Sequence, residues 1–180
     1  AGFDLISMSA HKIHGPKGVG ALYMDSKLKL KPFITGGGQE YGYRSGTENV
    51  PGIAGFGLAT TMSYEALEKK QKALKELNER LYNGIIDQIK DVKLNGSKEI
   101  GLRLEDYGLR APNILSISFA GTRGEVLLHK LEQDGIFVST GSACSSHDTG
   151  DSHVLTAMGL KHKDIEGTLR FSLSEFNIPM

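Results

Sequence analysis

The chain has 180 residues, 39% of them hydrophobic and 23% charged, with a formal net charge of zero and one cysteine. That composition supports a buried core, in one large domain or two small ones. Charge neutrality argues against broad nucleic-acid or anionic-membrane binding. A lone cysteine cannot form an internal disulfide, so nothing requires an oxidising compartment. No apolar stretch approaches the roughly 18 residues of a membrane span, and no signal peptide opens the chain. A cytoplasmic location is the expectation.

Ala1-Gly2-Phe3-Asp4 runs at once into an apolar pattern without an initiator Met. Domain starts are usually looser, so the sequence reads as a piece of a longer or split protein. Residues 3–9 predict a buried strand, residues 10–18 a loop, and residues 19–24 a second strand. Lys17-Gly18-Val19-Gly20 lacks the third glycine of a dinucleotide fingerprint. Residues 36–47 form a long glycine-rich loop interleaved with Tyr41, Tyr43 and Arg44, and loops of that length are usually functional or disordered.

After Pro51 the pattern predicts a helical region broken around Gly55 and Gly57. Leucines and isoleucines then recur at three and four up to Ile89. The charge-rich run from Glu65 to Arg80 reads as a solvated helix face. Val92–Leu94 and Ile114–Phe119 predict strands, and Arg123–Asp134 predicts a helix with Gly135 at its C-terminal cap. Ile136–Ser139 predicts another strand. Ser152–Met158 and Ile165–Thr168 read as helical, and Leu169–Leu173 as a closing strand. Alternating strands and helices indicate an α/β fold, with an α+β small domain. The long helix would link a first domain at about 1–60 to a second at about 61–180.

Two residues stand out chemically. Lys12 follows a strand and His11, and precedes the Gly15-Pro16 turn. A lysine leaving a sheet at a fixed point can hold an aldehyde cofactor as a Schiff base; an exposed loop lysine is the plainer alternative. Cys144 sits among Ser142, Ala143, Ser145 and Ser146, in a run that predicts an exposed, mobile loop. Its thiol is then reachable, and attack requires the thiolate. His147 stands close enough in sequence to assist. Zinc at Cys144, His147 and His153 meets no usual ligand spacing, so no metal is expected. Arg170 lies on a late strand, where a guanidinium can clamp a carboxylate or make a structural ion pair. Ser9, His11 and Thr47 could donate to a phosphate.

Taken in order, Ser9 through Gly18, Gly36 through Thr47, Gly141 through Ser146, Ser152-His153-Val154-Leu155 and Leu169 through Leu173 resemble the cysteine desulfurases, pyridoxal-phosphate enzymes of the class V aminotransferase group. The resemblance covers nearly the whole chain. It implies the C-terminal part of a fold-type I transferase that converts L-cysteine to L-alanine and leaves a persulfide on the enzyme. Lys12 would hold pyridoxal 5'-phosphate and move protons, and Cys144 would take the sulfur. Ser9 and His11 would hold the phosphate, Thr47 would reach the cofactor of the other subunit in a homodimer, and Arg170 would bind the substrate carboxylate. A sulfur-acceptor or scaffold protein, serving iron–sulfur or thio-cofactor assembly, would be the partner. The family's aspartate, histidine and glutamine around the ring lie upstream of the lysine, so residues 1–180 alone are expected to be incomplete. Asp151 stands where the family pattern has proline. A related selenocysteine lyase, or a non-catalytic sulfur-carrier or docking module, is the alternative.

Overall fold

A computed structural model describes residues 2–100, 110–140 and 151–177. The chain divides into two compact units, Ala1–Leu67 and Glu68–Met180.

The first unit holds two antiparallel strands, β1 (Leu5–Ser9) and β2 (Gly20–Met24), in register from Leu5 opposite Met24 to Ser9 opposite Gly20. The predicted buried strand is an exposed one: Leu5, Met8, Leu22 and Tyr23 are all more than two-fifths exposed. The reason is topological. Among the described residues these strands pair only with each other, and a two-stranded sheet has no third neighbour to cover its faces. Between them, residues 10–13 form a single 3-10 turn where a loop was expected.

Helix α1 spans Val50–Glu65 without interruption. Asn49 caps it, its Oδ1 accepting from the Gly52 amide at 3.1 Å, and Pro51 falls in the first turn, where its missing donor costs nothing. The break predicted at Gly55 and Gly57 falls instead at Ala66, before α2 (Leu67–Gln88). Gly55 is helical for a packing reason. A Cβ there would lie 2.6 Å from Pro16 Cγ, and one on Gly15 would lie 3.2 Å from the Ala59 Cβ. Small residues on α1 thus let the 3-10 turn and its following residues approach the helix closely, which outweighs the propensity cost of glycine.

The second unit is built on a three-stranded antiparallel sheet in the order β3 (Val92–Leu94), β4 (Ile114–Phe119), β5 (Thr168–Ser172). β3 and β4 match the predicted bounds. Alternation along β4 and β5 divides the sheet. Leu115, Ile117 and Leu169 point to one face and are at most 1% exposed, each worth about 1.5–3 kcal/mol of burial. Ile114, Ser116 and Ser118 share the other face with Thr168 and Arg170.

Helix α3 (Gly124–Gln133) ends as the sequence indicates. Gly135 has φ 75, its amide donates to Glu132 O, and the Ile136 amide donates to Leu131 O. That turn redirects the chain, so residues 136–139 form no strand. Only Ser139 reaches the edge of β5, in an isolated bridge with Arg170. Helix α4 (His153–Ala157) is capped by Ser152, and α5 (His162–Glu166) lies earlier than the predicted 165–168, because Thr168 already belongs to β5.

Candidate active site

Lys12 sits on the 3-10 turn Ala10–Ile13 at the end of β1. Ala10 anchors the turn. It is fully buried, its amide donates to Val19 O at 3.1 Å, and its carbonyl accepts from the Gly15 amide at 2.9 Å. His14, at φ 64, closes the turn in the left-handed region. Ser9, His11 and Lys12 are therefore presented outward from a fixed base. All three are exposed, and none of their side chains forms a hydrogen bond or ion pair among the described residues.

The glycine-rich loop is held by hydrogen bonds within itself, from side chains and backbone alike. Ser45 is buried, with Oγ donating to Gly37 O at 2.7 Å and its amide donating to Ile34 O at 3.1 Å. The Gly46 amide donates to Gln39 Oε1 at 3.2 Å. Tyr41, at φ 56, is 97% exposed at the tip. Thr47 follows this loop, is exposed, and makes no hydrogen bond to the Lys12 turn among the described residues.

The second unit contains a cavity of about 400 Å³ on the hydroxyl-bearing face of its sheet. Arg170, Arg110, Ser116, Thr140, Ser152 and Met158 are among the residues that line it. Arg170, on β5, stands directly opposite Ser116 of β4, and its backbone makes both bonds with Ser139, at 2.7 and 3.1 Å. Its Nε is buried, with no hydrogen-bond partner among the described residues. A buried donor left unpaired costs about 1–3 kcal/mol, and a carboxylate is the acceptor that suits a guanidinium best. No aspartate or glutamate is among the described residues lining the cavity.

Arg110 is the second guanidinium at this cavity, and the sequence reading passed over it. Its Nη1 donates to Asn78 Oδ1 at 2.6 Å and to Ile114 O at 3.0 Å, and its Nε donates to Ser97 O at 3.3 Å. Asn78, on α2 and fully buried, donates in turn to Pro112 O and Ile114 O. Burial pushes the Arg110 guanidinium down from its ordinary value, partly offset by Tyr82 and Glu79. It remains charged, because an arginine does not deprotonate in this range. The available signal was Asn78 itself, a polar residue set between Leu74, Leu77 and Leu81 on the apolar stripe of α2.

Cys144 and His147 lie outside the described residues. Those on either side, Thr140 and Ser152, both line the cavity with Arg170. Asp151 is held by His162, with Oδ1 2.7 Å from Nδ1. His153 is exposed at the start of α4.

The two units carry the chemistry of an amine with free hydroxyl and imidazole neighbours, and of an orphaned guanidinium in a cavity. The "Cysteine desulfurase IscS" of Clostridium botulinum strain Hall is 48% identical over 174 residues, which are 97% of this chain and 42% of that protein. A solved "NIFS-LIKE PROTEIN" superposes with a TM-score of 0.79 at 38% identity, covering 98% of this chain and 42% of that one. The structure named "SspA in complex with cysteine" superposes with a TM-score of 0.67 at 29% identity, over 98% and 45% of the two chains. The chain thus spans less than half the length of these relatives. The aminotransferase class-V family model matches residues 1–178, and the chain belongs to that family.

Proposed function

We propose that the protein carrying these residues is a cysteine desulfurase that uses pyridoxal 5'-phosphate to convert L-cysteine to L-alanine. The observation that carries this reading is the buried, unpartnered Arg170 Nε in a cavity bordered by both flanks of the cysteine segment. The cofactor fits the donor set of the first unit: Lys12 offers an amine for the aldehyde, and Ser9 and His11 offer unengaged donors for a phosphate. Bound there, it would supply an electron sink for bonds at the substrate's α-carbon.

The chain's own residues then divide the work. Arg170 binds and orients the substrate carboxylate. The Lys12 Nζ holds and returns protons. The Cys144 thiolate forms a bond to the substrate sulfur as the carbon–sulfur bond breaks. One sulfur atom passes from substrate to Cys144, and the proton from the thiol returns to carbon, so alanine leaves and a persulfide remains without an external oxidant. The reading includes a cytoplasmic homodimer in which Thr47 serves the other subunit's cofactor, and an acceptor or scaffold protein that takes the sulfur. It assigns residues 1–60 to the cofactor domain, and 61–180 to the linking helix and small domain. No described helix is long and apolar enough to cross a membrane.

The test is L-cysteine turnover by that protein. Alanine should form, and mass spectrometry should find one added sulfur on Cys144. Borohydride should fix a pyridoxyl group on Lys12 and not on Lys17. Cys144→Ser should lose alanine formation and keep the pyridoxyl label, whereas Lys12→Ala should lose both. Substantial alanine from Cys144→Ser, or a label on Lys17, would overturn the assignment.

A further inference from the structure

The floor beneath Arg170 is a chain of buried hydrogen bonds. Thr168 Oγ1 donates to Asp164 O at 2.6 Å, so its oxygen accepts from Ser118 Oγ at 2.7 Å. With its proton spent there, Ser118 accepts from Asn95 Nδ2 at 2.9 Å. Asn95, Ser118 and Thr168 are 3%, 3% and 2% exposed. The chain crosses the whole sheet, from the end of β3 to α5.

Asn95 also grips the residue opposite Arg170. Its amide donates to Ser116 O at 2.9 Å, and its Nδ2 approaches Ser116 Oγ at 3.3 Å. Ser116 is the direct cross-strand neighbour of Arg170, and both line the cavity. Its hydroxyl is an acceptor on the same sheet face as a guanidinium whose Nε has none among the described residues. Held by Asn95, that hydroxyl makes no hydrogen bond to the Arg170 Nε, although its second lone pair could accept one if it turned.

We propose that Asn95 is a positioning residue for carboxylate recognition: it locks the hydroxyl floor and keeps Ser116 engaged, leaving the Arg170 guanidinium open to its ligand. A buried, connected hydroxyl chain is directional in a way an apolar floor is not. The proposal rests on the reading of Arg170 as the carboxylate-binding residue.

Propionate tests it in the protein that carries these residues, because it offers a carboxylate but neither an amino group nor sulfur. Its binding is read from the Arg170 Nε–H resonance, assigned by its loss in Arg170→Lys. Asn95→Ala should weaken propionate binding about tenfold, the effect of one lost hydrogen bond's worth of orientation. Removing the competing acceptor as well, in Asn95→Ala with Ser116→Ala, should recover most of that loss, which a merely structural role for Asn95 would not allow. Should Asn95→Ala fail to fold, Asn95→Leu keeps the volume, lacks the Nδ2 donor and adds no charge, and should weaken binding at least as much. Unchanged affinity in the folded Asn95 variant, or a double variant weaker than the single, overturns the proposal. Alanine formation from L-cysteine is measured separately. Propionate bound through Arg170, weakened in Asn95→Ala and recovered in the double variant upholds the positioning role even where no alanine forms.

Discussion

The two sheets of this chain are written in similar residues and end in opposite environments. Phe3–Ser9 and Ile114–Phe119 both read as apolar strands, yet Leu5 and Met8 of β1 are exposed while Leu115 and Ile117 of β4 are 0% exposed. Among the described residues, β4 has a neighbour on each side and β1 has one. Within these 180 residues, which span less than half the length of the relatives, burial follows strand order and covering layers, which a strand's own sequence does not encode. A local apolar pattern says what a strand can bury, and topology says whether it does.

The largest expected effect tests that contrast directly. In the 180-residue chain, Leu115→Ala should cost about 2–5 kcal/mol, as a cavity in a packed core does. Leu22→Ala, at a position 57% exposed, should stay within about 0.5 kcal/mol. Hydrogen exchange reads the two units separately, which a single melting curve does not. The β4 amides should lose protection in the first variant and stay unchanged in the second. An equal loss from Leu22→Ala would mean that something, a second copy included, covers the β1–β2 sheet in solution.

A middle-sized effect belongs to Asn78. Asn78→Leu suits the apolar stripe of α2, but it strips one acceptor from the Arg110 Nη1 and the side-chain donor from the Pro112 and Ile114 carbonyls. Arg110 Nη1 and Ile114 O keep each other, so Pro112 O is the group that loses its side-chain donor, at a cost of about 1–3 kcal/mol, against which the added apolar area counts only in part. Chemical denaturation followed by a probe in the second unit measures it. Stabilisation by Asn78→Leu would show that the polar staple contributes nothing.

Much of the second unit was legible. β3, β4, α3 and its glycine cap follow from alternation, helical period and one positive-φ glycine. The segment at 136–139 was misread because its apolar residues satisfy a strand pattern, whereas the tight turn after α3 delivers only Ser139 to the sheet. Arg170 was legible as a candidate carboxylate ligand. Its unpaired Nε was not, because an orphaned donor is a fact about neighbours. The helix through Gly55 was misread for the same reason: propensity penalises the glycine, and the contact with Pro16 that requires it comes from forty residues away.

That contact gives the smallest and most discriminating test. Two glycines lie two residues apart in α1, and propensity treats them alike: replacing either with alanine should stabilise the helix by about 0.5–1 kcal/mol. Their surroundings differ. A Cβ at Gly57 meets nothing within 4 Å, so Gly57→Ala should realise that gain. A Cβ at Gly55 lies 2.6 Å from Pro16 Cγ and 3.1 Å from Pro16 Cδ, and a proline ring cannot rotate away. The turn bearing Lys12 must then shift off the helix, and overpacking of this kind costs typically about 1–3 kcal/mol. The sign of the change should therefore reverse between neighbouring positions, as read by helix melting. In Gly55→Ala alone, protection of the Ala10 and Gly15 amides should fall. Two alanines with the same sign would show that the Lys12 turn does not depend on its seat on α1.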